Sequence, residues 1–245
     1  MPYSALEPEK IKSTAHELAL RVAERFPNNG IAQVSRALAD LSEKHTEYAA
    51  KAATRNWPMQ IVSVLIVLAG LAAAGWGVWQ VLQLFGMDAR EIGSVQGLDS
   101  VLNIMIVTGA AIWFVLNLET RQRQARVLAR LHELRALAHV IDMHQLRKDP
   151  TTYYREPTAH SPNRDLSESN LMAYLDYCAE MLAIIGKLAA LYMQRMSDAV
   201  VIDAANDIEA LAGGFSQKIW LKINVLQPLA DAERRAASAR PTPLS

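Results

Sequence analysis

One cysteine, Cys178, stands in 245 residues. No disulfide can close within the chain, and no metal site built on several thiolates can be assembled from it. Net charge is missing as well: 25 Lys and Arg balance 25 Asp and Glu. No bulk field draws such a chain to nucleic acid, which is not an expected partner. Runs of alternating β-branched and aromatic residues are nearly absent, while alanine and leucine are abundant, and this excludes a sheet in favour of an all-α fold. Several catalytic signatures are missing too. Neither the G-x-x-x-x-G-K-[ST] loop nor the G-x-G-x-x-G fingerprint occurs, which removes the usual phosphate cradles. His132-Glu133-Leu134-Arg135-Ala136 lacks the second histidine of a zinc-protease helix, because the position four residues on is alanine. No enzyme activity and no cofactor are expected.

The most telling absence is of charge. Met59 to Met87 contains no Asp, Glu, Lys, Arg or His, and Val101 to Leu118 is interrupted only by Asn103, Thr108 and Asn117. About 20 apolar residues in helical form cross the hydrocarbon core of a bilayer, so each stretch is long enough to span once. The expected architecture is an integral-membrane two-helix hairpin with a long-helix cytoplasmic bundle or coiled coil. Its parts are N-terminal cytoplasmic helices over 1–57, a transmembrane hairpin over 58–118, a C-terminal cytoplasmic helical domain over 119–227 and a disordered tail over 228–245. Within the hairpin the spans are about 58–80 and 99–118, and the external loop is about 88–98.

Basic residues near the spans set the orientation, since positive loops resist translocation. Lys44, Lys51 and Arg55 precede the first span, and Arg121, Arg123, Arg126 and Arg130 follow the second. The connection carries Arg90 alone against Asp88, Glu91 and Asp99. Both termini are therefore expected in the cytoplasm of a multi-pass plasma-membrane protein, with a bacterial inner membrane as first choice. A cleaved signal peptide is not expected, because the first apolar run follows a charged amphipathic segment and is too long for one. The same four arginines suit anionic lipid headgroups.

Outside the spans, apolar residues recur at steps of three and four, the mark of one stripe on a helix. Five stripes are legible: Ile11, Ala15, Leu18, Val22; then Ile31, Val34, Leu38, Leu41, His45, Tyr48, Ala52; then Val127, Leu131, Leu134, Ala138, Ile141; then Leu171, Leu175, Cys178, Leu182, Ile185, Ala189, Tyr192, Met196; and finally Ala205, Ile208, Ala212, Phe215, Ile219, Ile223, Leu226. No glycine or proline occurs between Ala110 and Asp149, so the second span is expected to continue as one helix into the third stripe. Ser197 and Asp198 suit the start of a new helix after the fourth stripe, and Pro228 is expected to end the last. Each stripe needs a partner, which a bundle or self-association supplies; a homo-oligomer is expected, and a cytoplasmic protein partner is compatible.

Two groups of residues are candidates for function. Ser63, Gly70 and Gly77 lie seven apart on the first span, as do Asn103, Ala110 and Asn117 on the second. An antiparallel hairpin opposes Ser63 with Asn117, Gly70 with Ala110 and Gly77 with Asn103, a seam in which small residues admit close backbones and amides find polar partners. If the asparagines instead line a ring of hairpins, the protein is a homo-oligomeric ion channel with a helical vestibule. The second group is His139 and Asp142, three apart on the long helix amid Leu137, Val140, Ile141, Met143 and Leu146. That apolar surround predicts partial burial, where a carboxylate orients an imidazole, and a weak metal or hydrolytic site completed by Asp176, Glu180, Asp203 or Asp207 is the further alternative. The leading expectation is a scaffold or a sensing and regulatory module.

Overall fold

The computed structural model describes residues 5–52, 57–85, 95–146, 148, 150, 160 and 166–238. They form six helices and no strand: α1 (Pro8–Arg25), α2 (Gly30–Ala52), α3 (Trp57–Phe85), α4 (Val95–Leu146), α5 (Glu168–Arg195) and α6 (Ala199–Ser238). The chain divides into two compact units, Thr54–Arg126 on the one hand and Met1–Ala53 with Val127–Ser245 on the other.

In the larger unit, local chemistry sets where helices begin and end. Pro8 opens α1, where its missing N–H costs nothing. Pro27 follows the last turn and biases Phe26 away from helical geometry, and Phe26 takes φ −130° and ψ 61°. Asn29 Oδ1 then accepts from the Ile31 N–H as α2 begins. Ser167 caps α5 by accepting from the Asn170 N–H. The break expected at Ser197-Asp198 is present: α5 closes at Met196, and Asp198 Oδ1 accepts from the N–H groups of Val200 and Val201 at 3.1 and 3.2 Å.

These helices, with residues 127–146 of α4, pack the five stripes into one core. Every stripe residue of α1, α4, α5 and α6 is buried, as are Ile31, Val34, Leu38 and His45 of α2. Leu41 is half-buried, Tyr48 is exposed, and the side chain of Ala52 lies outside the described set. Between α1 and α5 the packing is supplemented by Phe26, edge-on to Tyr174 and Tyr177 at 5.7 and 6.2 Å. Arg21 pairs with Glu180 at 2.5 Å. An ion pair this open to solvent contributes at most about 1 kcal/mol, so burial carries the bundle.

At the α1–α2 turn the fit is close. A methyl group on Gly30 would come within 2.6 Å of His144 Cε1, and the His144 ring also meets the Tyr174 hydroxyl at 3.4 Å. Gly30→Ala should therefore cost about 1–3 kcal/mol through overpacking. In the His144→Ala background the same change should cost far less; a double-mutant cycle measured by urea unfolding checks this, and two equal costs would exclude His144 as the obstacle.

Two expectations differ from the structure. Helix α6 does not stop at Pro228 but carries it internally and runs to Ser238, so a proline at this point does not end the helix. The external loop reaches only in part into the described residues, because α4 already begins at Val95, and Asp88, Arg90 and Glu91 lie outside them. The loop over 151–165, apart from His160, and the last residues of the tail also lie outside.

In the smaller unit, α3 and the start of α4 are apolar in sequence. Among the described residues no helix is long and apolar enough to cross a membrane. The side chains of α3 are described in part. Those that are described stand open. Ile61, Val62, Val64, Leu65, Ile66, Leu68 and Leu71 are each about half exposed, and Trp76 and Trp79 are exposed to 68 and 60%. Successive helical positions are about 100° apart, so this apolar surface faces every direction.

Candidate functional site

The polar residues that the bundle encloses most fully are not those the sequence singles out. His139 is exposed, with its ring edge-on to Phe215 at 5.5 Å. Asp142 is half-buried and accepts from Gln145 Nε2 at 2.6 Å rather than from His139. The expected partial burial is met by Asp142 and not by His139: Val140, Met143 and Leu146 are exposed, since apolar composition does not by itself bring contact. Glu180 is engaged by Arg21, Asp176, Asp203 and Asp207 are exposed, and no group of three or more potential ligands gathers among the described residues.

A polar chain that starts in the core and runs out to the surface lies elsewhere, across α2, α4 and α5. The α2 stripe carries His45 into the core, where it is fully enclosed. Helix α5 brings Tyr192, also fully buried, and its hydroxyl meets His45 Nδ1 at 2.8 Å with the rings nearly perpendicular. From α4, Glu133 Oε2 stands 3.5 Å from His45 Nε2. That separation is long for a hydrogen bond, and Nε2 has no hydrogen-bond partner among the described residues. Glu133 Oε1 is taken by Arg130 Nη1 at 2.6 Å, and Arg130 Nη2 donates to the Tyr48 hydroxyl at 2.7 Å, its guanidinium 4.0 Å above the Tyr48 ring.

This geometry selects a tautomer. With the lone pair on Nδ1 receiving the Tyr192 O–H, the proton sits on Nε2 and points its positive end toward the Glu133 carboxylate. The opposite tautomer would set a lone pair against that carboxylate. Burial holds the His45 pKa down to about 4, outweighing the attraction of Glu133, and Arg130 adds to the depression. Burial likewise raises the Tyr192 phenol above its ordinary value. Both groups stay neutral near pH 7, so the chain holds three helices in register by directional contacts and is poorly suited to pass protons.

The sequence contained a signal for this site: a histidine in phase with Leu38 and Leu41 on an apolar stripe. Its partners could not be read, because Glu133 and Arg130 lie beside the α4 stripe and resemble surface residues. A second concave feature, of about 410 Å³, lies between the start of α1 and α5. Leu6, Ile11, Ala183 and Ile184 form its apolar wall, while Glu7, Lys10, Glu180 and Lys187 balance in charge, so it offers no preference for ligands of either sign.

The seam residues of the smaller unit are described only in part. Gly70 and Gly77 have open space where a Cβ would project, Asn103 and Ala110 are exposed, and the Ser63 side chain lies outside the described set. Asn117 donates to the Trp113 carbonyl at 2.7 Å, within its own helix. Arg121 and Arg126 are exposed and Arg123 half-buried, and Arg126 Nε donates to the Gln122 carbonyl. Of the four arginines, Arg130 alone belongs to the polar chain across α2, α4 and α5.

Comparison of the chain with protein-family models, curated proteins and solved structures found no match.

Proposed function

We propose that this chain is a two-span membrane protein whose helical bundle lies in the cytoplasm, self-associates, and acts as a scaffold or a sensing and regulatory module. The observation that supports the reading is α3. It has no charged residue along its length, and its described apolar side chains are open to solvent on all sides. A helix apolar all round is stable only inside a protein core or in lipid, and an apolar surface of this extent left in water is a liability. Its length of 29 residues matches lipid, with room for tilt. Trp57 at one end and Trp76 and Trp79 toward the other suit the two interfaces. The basic residues Arg121, Arg123 and Arg126 beyond the second span suit the cytoplasmic face and its anionic headgroups.

A homo-oligomeric channel is the competing reading. The self-contained hydrogen bond of Asn117 favours the scaffold, because an amide already paired within its helix has less need of pore water or of a neighbouring helix.

Topology reporters fused at residues 1, 94 and 245 test the membrane reading. The expected outcome is a cytoplasmic signal at both termini and an external signal at Ser94. A cytoplasmic signal at all three positions, with the protein released from membranes by alkaline washing, would remove the hairpin from the reading.

A further inference from the structure

Helix α6 carries a second stripe beside the one it buries. Val200, Ala204, Asp207, Leu211, Gly214, Lys218, Leu221 and Val225 follow one another at steps of four and three without a break, the period of a coiled-coil seam. This stripe is not consumed by the bundle. Val200, Leu221 and Val225 are exposed to 51, 66 and 45%, Asp207, Gly214 and Lys218 are exposed, and Ala204 and Leu211 are only partly covered. A Cβ on Gly214 would project into open space. Neither Asp207 nor Lys218 has an ion-pair partner among the described residues, and Lys218 Nζ rests 5.1 Å above the Phe215 ring.

The stripe is also its own complement when reversed. Turned end for end about the midpoint between Leu211 and Gly214, it sets Val200 against Val225, Ala204 against Leu221, Asp207 against Lys218 and Leu211 against Gly214. Apolar residues then meet apolar residues at both ends, acid meets base halfway in, and at the centre a large side chain faces the one position with no side chain. A parallel pairing has none of this, since it would place Asp207 on Asp207 and Lys218 on Lys218, like charges that repel. A two-fold axis repeats every contact, so one complementary half-stripe supplies both halves of an isologous interface.

We propose that α6 pairs antiparallel with α6 of a second copy of this chain through this stripe. The occupant is the chain itself because charge and size match position by position, which an unrelated apolar partner would not require. The inference rests on the self-association in the proposed function and not on membrane insertion.

Cysteine pairing on the full-length protein in mild detergent tests it, with Cys178 buried and so out of reach. Mixed Val200→Cys and Val225→Cys chains should form a disulfide-linked dimer under mild oxidation. Each variant alone should not, because an antiparallel seam holds its two cysteines about 38 Å apart at 1.5 Å per residue. In parallel, Asp207→Lys should weaken the dimer at least about tenfold by sedimentation, and adding Lys218→Asp should restore it. Cross-linking of Val200→Cys with itself would overturn the antiparallel seam. Absence of the mixed cross-link from protein that sediments as an oligomer would overturn the seam and leave self-association standing. A monomer at all concentrations would overturn both.

Discussion

Tyr192→Ala should be among the most damaging single changes in the bundle, lowering its stability by about 3–5 kcal/mol. The side chain is fully buried, and its loss opens a cavity among α2, α4 and α5 that the surrounding helices cannot fill. Tyr192→Phe separates the two parts of that cost. It keeps the ring and its edge-on contact with His45 but removes the O–H that His45 Nδ1 accepts at 2.8 Å. Because His45 Nε2 already lacks a hydrogen-bond partner among the described residues, this change leaves a buried imidazole with neither nitrogen satisfied, a penalty of about 1–3 kcal/mol. Urea unfolding followed by far-ultraviolet circular dichroism measures both. A Phe variant within a few tenths of a kcal/mol of the parent would mean that the Tyr192–His45 contact contributes little and that the phenol is present for its volume.

The difference between those two variants reflects what a one-dimensional pattern can and cannot carry. The stripes of α1, α4, α5 and α6 are buried residue for residue, because helical periodicity is a local property and any core must take up the apolar side. The same logic placed His45 inward. It did not place Glu133 and Arg130 around His45, because that depends on which face of α4 lies against α2, a long-range fact that spacing does not encode. His139 shows the reverse error. Val140, Met143 and Leu146 made its surroundings look like core, yet they are exposed, since an apolar residue at the end of a helix is buried only if another element reaches it. The α6 stripe from Val200 to Val225 was hidden for a third reason. Only after the stripe from Ala205 to Leu226 is seen to be buried does the neighbouring series, with its charged pair and its glycine, stand out as an unused face.

The buried imidazole also makes stability depend on pH in a direction its environment fixes. His45 in the folded protein is held near a pKa of about 4, chiefly by burial, against an ordinary value of 6.5. The unfolded chain therefore binds a proton on this residue over a range where the folded chain does not. Above about pH 7 neither state is protonated and the contribution of His45 is present in full. As pH falls through 6.5 toward 4 the unfolded state gains, by up to about 1.4 kcal/mol per pH unit, and below about 4 the loss is complete. Between pH 7 and pH 5 the bundle should lose about 2 kcal/mol on this account. Burial lowers the pKa of His144 as well, which adds a loss of the same sign. His45→Gln isolates the first contribution: it removes the titrating group, leaves His144 and Glu133 in place, and retains an amide able to meet Tyr192. Whatever its stability at pH 7, the variant should show a shallower fall from pH 7 to pH 5 than the parent. The comparison stops at pH 5 because the window in which only the unfolded chain holds the extra proton on His45 lies between 6.5 and about 4. Parallel stability curves for parent and variant over this range would mean that His45 is protonated equally in both states, and the neutral, Nε2-protonated imidazole facing Glu133 would have to be abandoned.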